Sequence, residues 1–170
     1  ISSKVVSRNP SGPFTTSTLQ QVASSRLGFG ASRTMQIAQK LYQGIEIDGE
    51  TIGLITYMRT DGTNLSNDAI SDFRNFIKNK YGKEYLPENP LNYSGKKAKN
   101  AQEAHEAIRP TDIIRSPDSV KKYLSPDQQK LYNLIWSRAL SSQMETAKFD
   151  RNTITISSED NQTICKTSGS

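Results

Sequence analysis

The residues that clamp metals or staple folds are nearly missing from this chain: of 170 residues, one is cysteine and one is histidine. A lone Cys165 excludes an internal disulfide framework, and no Cys/His cluster has zinc-ligand spacing. A reducing interior is the natural compartment for such a chain, with the cytosol as default. Long apolar runs are missing as well. Nothing approaches the ~20 apolar residues needed to cross a bilayer, and the opening Ile1-Ser2-Ser3-Lys4 lacks the apolar stretch of a signal peptide. A soluble, non-exported protein is expected, with no membrane partner. There is no initiator methionine, and Lys166 to Ser170 falls inside an expected hairpin, so both ends read as cut from something longer. Neither sign of charge dominates: Lys and Arg total 22 against 17 Asp and Glu, a net +5 that favours a polyanionic partner without requiring one.

What is present divides into three stretches. Residues 1 to 13 are polar and end in Pro10-Ser11-Gly12-Pro13, which resists helix and reads as a linker or the edge of a neighbouring domain. Residues 14 to 147 form a mainly helical domain with a small β-hairpin. Its first helix is expected from Ser17 to Leu27, with Ser17 and Gln20 at capping-box spacing. Gly28-Phe29-Gly30 breaks it, and Ser32 caps a second helix with a Met35, Ala38, Leu41, Tyr42 stripe. Ile45 to Ile47 and Thr51 to Thr56 then read as strands around Asp48-Gly49. Helix, turn, helix, hairpin is a winged-helix-like order, with Tyr57 at the end of the second strand.

A third helix opens at Ser66 and Asp68, carries Ala69, Ile70, Phe73, Phe76 and Ile77, and closes at Gly82. From Tyr85 to Asn100 the chain reads as a loop, whose Lys96, Lys97 and Lys99 could touch phosphate or stay solvated. Ala101 to Arg109 is a short helical run ended by Pro110, placing His105 and Arg109 on one face. The strongest helix signal is Ser125-Pro126-Asp127-Gln128, with Leu131, Leu134, Ile135 and Ala139 on its apolar side. Residues 148 to 170 shift to strand composition, Thr153 to Ile156 and Thr163 to Cys165, and are expected to belong to a neighbouring β-rich domain.

For chemistry, the candidate is Tyr57. A phenol, ordinarily titrating near ~10, attacks phosphate only when a cation favours its ionised form and charge on the phosphate is stabilised. Arg59, two residues on at strand spacing, offers a planar, always-charged fork suited to bidentate phosphate binding. The plainer alternative is a packing tyrosine with a hydrogen-bonded hydroxyl. His105 is usually the kind of residue found at a surface or satisfied in a core, but Glu103, Glu106 and Arg109 around it could set its protonation. Glu103 and Glu106 equally suit an ordinary solvated helix surface. Asp48, Asp61 and Asp68 are scattered rather than clustered as magnesium ligands would be, so no metal site is expected here.

Three long motifs then carry a resemblance: Pro13-Phe14-Thr15-Thr16-Ser17-Thr18-Leu19-Gln20, Ile55-Thr56-Tyr57-Met58-Arg59-Thr60-Asp61, and Ala101-Gln102-Glu103-Ala104-His105-Glu106-Ala107-Ile108-Arg109-Pro110. Together they resemble bacterial DNA topoisomerase I, of the type IA family, over nearly the whole chain. The resemblance implies that Tyr57 attacks a single-strand phosphodiester without ATP, that Arg59 orients the phosphate, and that His105 hydrogen-bonds in the same site. It gives Thr60, Asp61 and Arg109 supporting DNA-binding roles. It also implies that Mg2+ and its carboxylates belong to a domain outside this chain, that the remaining domains of the polypeptide and single-stranded DNA are the partners, and that the terminal strands join an arch around the DNA. A cytoplasmic, nucleoid-associated enzyme relaxing negative supercoils is expected, with the isolated fragment inactive. Two positions depart from the family's pattern: Gly62 stands where serine is common, and Gln43 where glutamate is common. Two readings without chemistry remain open, a winged-helix DNA-binding module and a protein-interaction scaffold.

Overall fold

A computed structural model describes residues 1–93, 105–160 and 162–170. The expected basic cluster Lys96, Lys97 and Lys99, together with Glu103 and the first half of the Ala101 to Arg109 run, lies outside the described residues. The chain divides into two compact units, Ser11–Met144 and a second made of Ile1–Pro10 with Glu145–Ser170. The described residues are mixed α/β as a whole: the helices and a two-stranded antiparallel sheet lie in the larger unit, as the expected mainly helical domain with a hairpin, and a three-stranded antiparallel sheet makes up the smaller.

In the larger unit, α1 (Thr16–Leu27) begins two hydroxyl residues earlier than Ser17 would place it. Its N-cap is Thr15, which donates its N–H to the Thr18 hydroxyl (2.9 Å) and accepts from the Thr18 N–H (3.3 Å), a reciprocal capping box. The second helix, α2 (Ala31–Gln43), starts directly after Gly30, with no side-chain cap; Ser32 sits inside its first turn. Leu19 and Ala23 of α1 and Ala38 and Leu41 of α2 are fully buried. Each large apolar side chain removed from water in this way contributes roughly 1.5–3 kcal/mol.

The hairpin strands β2 (Ile45–Ile47) and β3 (Glu50–Ile52) pair Ile45 with Ile52 and Ile47 with Glu50. Asp48 (φ 51°) and Gly49 (φ 90°) turn them with positive φ at both central positions, as a two-residue hairpin requires. Strand β3 stops at Ile52, so Tyr57 does not end it. Pairing is lost because Leu54 and Ile55 are drawn off to other partners: the Leu54 N–H donates to the Leu41 carbonyl (2.8 Å), and Ile55 bridges Pro110.

Helix α3 (Asn67–Lys80) is capped by the Ser66 hydroxyl as its sequence predicts and buries Ala69, Phe73 and Ile77. The short α4 (Pro117–Val120) gives way to α5 (Pro126–Ser141), whose N-cap Ser125 forms a second capping box with Gln128. Leu131, Tyr132, Ile135 and Ala139 of α5 are fully buried and share one core with the inner faces of α1, α2 and α3.

Residues 105–110 are extended, not helical: Glu106 bridges Asn64, Ile108 bridges Phe14 and Pro110 bridges Ile55. In the described part of the run, from 105 on, helix propensity is overridden because Ala107 and Ile108 are wholly buried between these neighbours. His105 and Arg109 therefore do not share a helical face.

The smaller unit is a three-stranded sheet in the order β1 (Ser2–Arg8), β4 (Ala147–Ser157), β5 (Ile164–Gly169), antiparallel throughout. A strand thus occupies the start of the chain where an extended connector was one expectation. β4 begins before Thr153, because Ala147 to Thr153 pairs with Arg8 to Ser2. No described helix is long and apolar enough to cross a membrane.

Candidate active site around Tyr57

The segment after the hairpin alternates in burial: Met58 (1% exposed) and Thr60 (8%) point inward, while Tyr57 (48%) and Arg59 face solvent. No strand produces this alternation. Two hydroxyls on either side of the Tyr57–Arg59 pair produce it instead. On one side, Thr56 donates its hydroxyl to the Ala107 carbonyl (2.8 Å) and accepts from the Arg109 N–H (3.0 Å). The Thr56 N–H also reaches the Arg109 carbonyl (2.9 Å). On the other side, the Thr16 hydroxyl donates to the Met58 carbonyl (2.7 Å) and accepts from the Thr60 N–H (2.8 Å). The Thr16 N–H closes the pair on the Thr60 carbonyl (2.9 Å).

Both anchors are polar groups satisfied inside the fold, so moving either would strand buried donors and acceptors. Tyr57 and Arg59 are consequently presented outward from a pinned backbone. The end of α2 borders both. The ring of Tyr42 meets the ring of Tyr57 edge-on, with centroids 5.3 Å apart. Arg59 opens into a cleft of about 860 Å³ shared with Gln36, Lys40 and Gln43. Arg33 also lines that cleft, but its charge is taken by Asp127. The side chains of Arg59 and Lys40 carry no hydrogen bond or ion pair among the described residues, so their charge is available to an anion in the cleft.

The segment from 105 to 109 does come to this region, as backbone beside Thr56. Gly62 packs so closely against it that a Cβ there would lie 1.6 Å from the His105 carbonyl oxygen. Gly62 is therefore a steric necessity of this chain path. Arg109 and Thr60, both expected to contact DNA, are committed within the protein. Arg109 grips Glu106 with Nε to Oε1 at 2.6 Å and Nη2 to Oε2 at 3.1 Å, and donates Nη1 to the Pro110 carbonyl at 2.9 Å. The Thr60 hydroxyl accepts from the Gly62 N–H (3.0 Å). Asp61 is exposed.

Glu106 is a tie between segments rather than solvated surface, since it also accepts from the Ser66 N–H (2.9 Å). Burial works to raise its pKa, but the hydrogen bonds from Arg109 and Ser66 and the Arg109 charge outweigh that and hold it below the ordinary glutamate value. Thr16, Thr56 and Tyr42 contact the Tyr57–Arg59 segment or Tyr57 itself, and sequence reasoning did not single them out. Thr16 and Thr56 lie within the quoted motifs, and their hydroxyls were the available signal. Among the described residues, no group of three or more His, Cys, Asp or Glu could hold a metal ion.

The family model for DNA topoisomerase matches residues 1–170. The chain belongs to that family. It is 55% identical to DNA topoisomerase 1 of Rickettsia felis over 170 residues, which is all of this chain and 22% of that protein. To DNA topoisomerase 1 of Helicobacter pylori it is 52% identical over 147 residues, 86% of this chain and 20% of the other. Among solved structures, full-length topoisomerase I from Thermotoga maritima superposes with a TM-score of 0.79 at 41% identity, covering 98% of this chain and 26% of that one. This topoisomerase chain thus spans about a fifth of the length of the curated relatives it matches.

Proposed function

We propose that this chain is the tyrosine-bearing part of a type IA DNA topoisomerase, with Tyr57 as the nucleophile that cuts and rejoins one DNA strand. The observation that carries the reading is the presentation of Tyr57 and Arg59. A half-exposed phenol and a guanidinium without a partner among the described residues project from a backbone pinned on both sides, beside a cleft whose charge left unpaired by those residues is positive. Pinning fixes the backbone from which the attacking oxygen is presented, and orientation of the reacting groups is where much of the rate of such a displacement originates.

In the reaction, the Tyr57 oxygen forms a bond to a backbone phosphorus and the bond from that phosphorus to the 3′ oxygen breaks. The phenol proton leaves as the 3′ oxygen gains one, so a 5′-phosphotyrosine and a free 3′ hydroxyl result. Resealing is the reverse transesterification, and no ATP is consumed. Arg59 supplies a fixed cation for the phosphate oxygens, stabilising charge that grows on them in the transition state. To His105, which is exposed on the 105–109 segment, we assign a hydrogen bond in the same site, and to Asp61, also exposed, a contact with DNA. Mg2+ would be held by carboxylates elsewhere in the polypeptide, where it would supply further charge stabilisation. The α1, α2 and hairpin order serves as a winged-helix-like DNA-binding body, and the β1, β4, β5 sheet as part of an arch through which single-stranded DNA is handled.

The test uses the full-length protein and a single-stranded oligonucleotide labelled at one end or the other. A 3′ label should become protein-bound and a 5′ label should be released, both effects vanishing in Tyr57→Phe. Salt-dependent DNA binding with no adduct would leave a non-catalytic winged-helix module and sink the enzymatic reading.

A further inference from the structure

Tyr42 has no role in the chemistry above, yet it touches the one side chain that does the attacking. Its ring lies edge-on to that of Tyr57 at 5.3 Å between centroids and 63° between planes. Core packing does not impose this contact, because Tyr42 is 41% exposed and Tyr57 48%. The two rings cover part of one another at the surface.

The footing of the pair is rigid. Tyr42 sits in the last turn of α2, and Gly53 comes so close to it that a Cβ there would lie 2.7 Å from the Tyr42 carbonyl oxygen. One residue on, the Leu54 N–H donates to the Leu41 carbonyl (2.8 Å). The end of α2 is thereby locked to the segment that leads into Tyr57. Among the described residues the Tyr42 hydroxyl has no hydrogen-bond partner, so what the position uses is the ring.

We propose that Tyr42 is a positioning residue for Tyr57, its ring edge holding the phenol in the rotamer from which it attacks; this rests on the reading of Tyr57 as nucleophile. A half-exposed tyrosine without a neighbour samples several staggered χ1 wells. These wells point the oxygen in different directions, and attack on a bound phosphate needs one of them. Edge-to-face contact is the preferred geometry of aromatic pairs and selects that well before DNA binds. The ring contributes to rate through orientation and not through affinity.

The experiment is single-turnover cleavage of a single-stranded oligonucleotide by the full-length protein, with DNA affinity measured in parallel. Tyr42→Leu should slow cleavage about 10-fold, within the range that misorientation costs, while the dissociation constant stays within about twofold. Tyr42→Phe, which keeps the ring edge and drops the hydroxyl, should restore the rate to within about twofold of the parent. Tyr42→Gln, retaining helix propensity without a ring, should behave as Leu does and guards against a folding defect peculiar to one variant. An unchanged rate in both ringless variants overturns the proposal. So does a Phe variant as slow as Leu, or a loss confined to affinity. Tyr57→Phe in the same assay separates the two readings: if it still forms adduct, the nucleophile assignment fails. If it forms none and the ringless Tyr42 variants are normal, only the positioning role fails.

Discussion

Thr16→Val removes one hydroxyl and leaves the side-chain shape almost unchanged, which makes it a clean probe of how the Tyr57–Arg59 turn is held. The hydroxyl serves two backbone groups, the Met58 carbonyl at 2.7 Å and the Thr60 N–H at 2.8 Å. Both lie where water has limited access, since Met58 and Thr60 are buried. Stranding a buried donor or acceptor costs about 1–3 kcal/mol each. The Thr16 N–H still reaches the Thr60 carbonyl, so the connection is weakened rather than cut. Taking the low end for each group gives a loss of about 2 kcal/mol. For a domain of this size that corresponds to a drop in melting temperature on the order of 8 °C. Differential scanning calorimetry of the full-length protein reads it directly, with Thr16→Ser as the control that keeps the hydroxyl. Valine at the parent's melting temperature, or serine as destabilised as valine, would refute the pinning argument.

Glu106 carries a pH signature. Its folded-state pKa is depressed, so its contribution to stability is present above the ordinary glutamate value, near ~4.3, and fades as pH falls through the lower folded value. Glu106→Gln should flatten the stability profile in that acidic window, and chemical denaturation at several pH values would reveal a profile identical to the parent's if the tie to Arg109 and Ser66 does nothing. At Gly62, a methyl group would drive into the His105 carbonyl, so Gly62→Ala should destabilise by about 1–3 kcal/mol, as overpacking does; an unchanged melt contradicts the close approach. The isolated 170-residue chain should fail to relax supercoiled plasmid even with Mg2+, and efficient relaxation on an agarose gel would contradict the assignment of the metal to another part of the polypeptide.

Local signals made some of this fold legible. α5 and α3 begin where Ser125 and Ser66 place their caps, because one hydroxyl stands at each boundary and the apolar stripe behind it is unbroken. At α1 four hydroxyl residues run together from Thr15 to Thr18, and spacing alone does not choose among them; Thr15 wins because Thr16 is taken by the Met58–Thr60 turn. The 105–110 segment misleads for the opposite reason. Its composition favours helix, but Ala107, Ile108 and Pro110 are consumed by long-range neighbours that no window of sequence contains. β1 escapes notice because almost every residue along it is exposed, so no alternation marks it; its strand partner among the described residues is β4, more than a hundred residues away. In the candidate site, Tyr57 and Arg59 stand out from their motif, whereas the contacts of Thr16, Thr56 and Tyr42 link distant segments and are visible only in three dimensions.

The proposed reaction turns on a single covalent bond, between the Tyr57 phenolic oxygen and a 5′ phosphate. Trapping the full-length protein on single-stranded DNA, digesting both, and sequencing the nucleotide-bearing peptide by tandem mass spectrometry would locate that bond. The account predicts the nucleotide mass on Tyr57 in the peptide containing Met58 and Arg59. A modification on any other residue, or DNA cleavage with Tyr57 unmodified in the trapped complex, would contradict it.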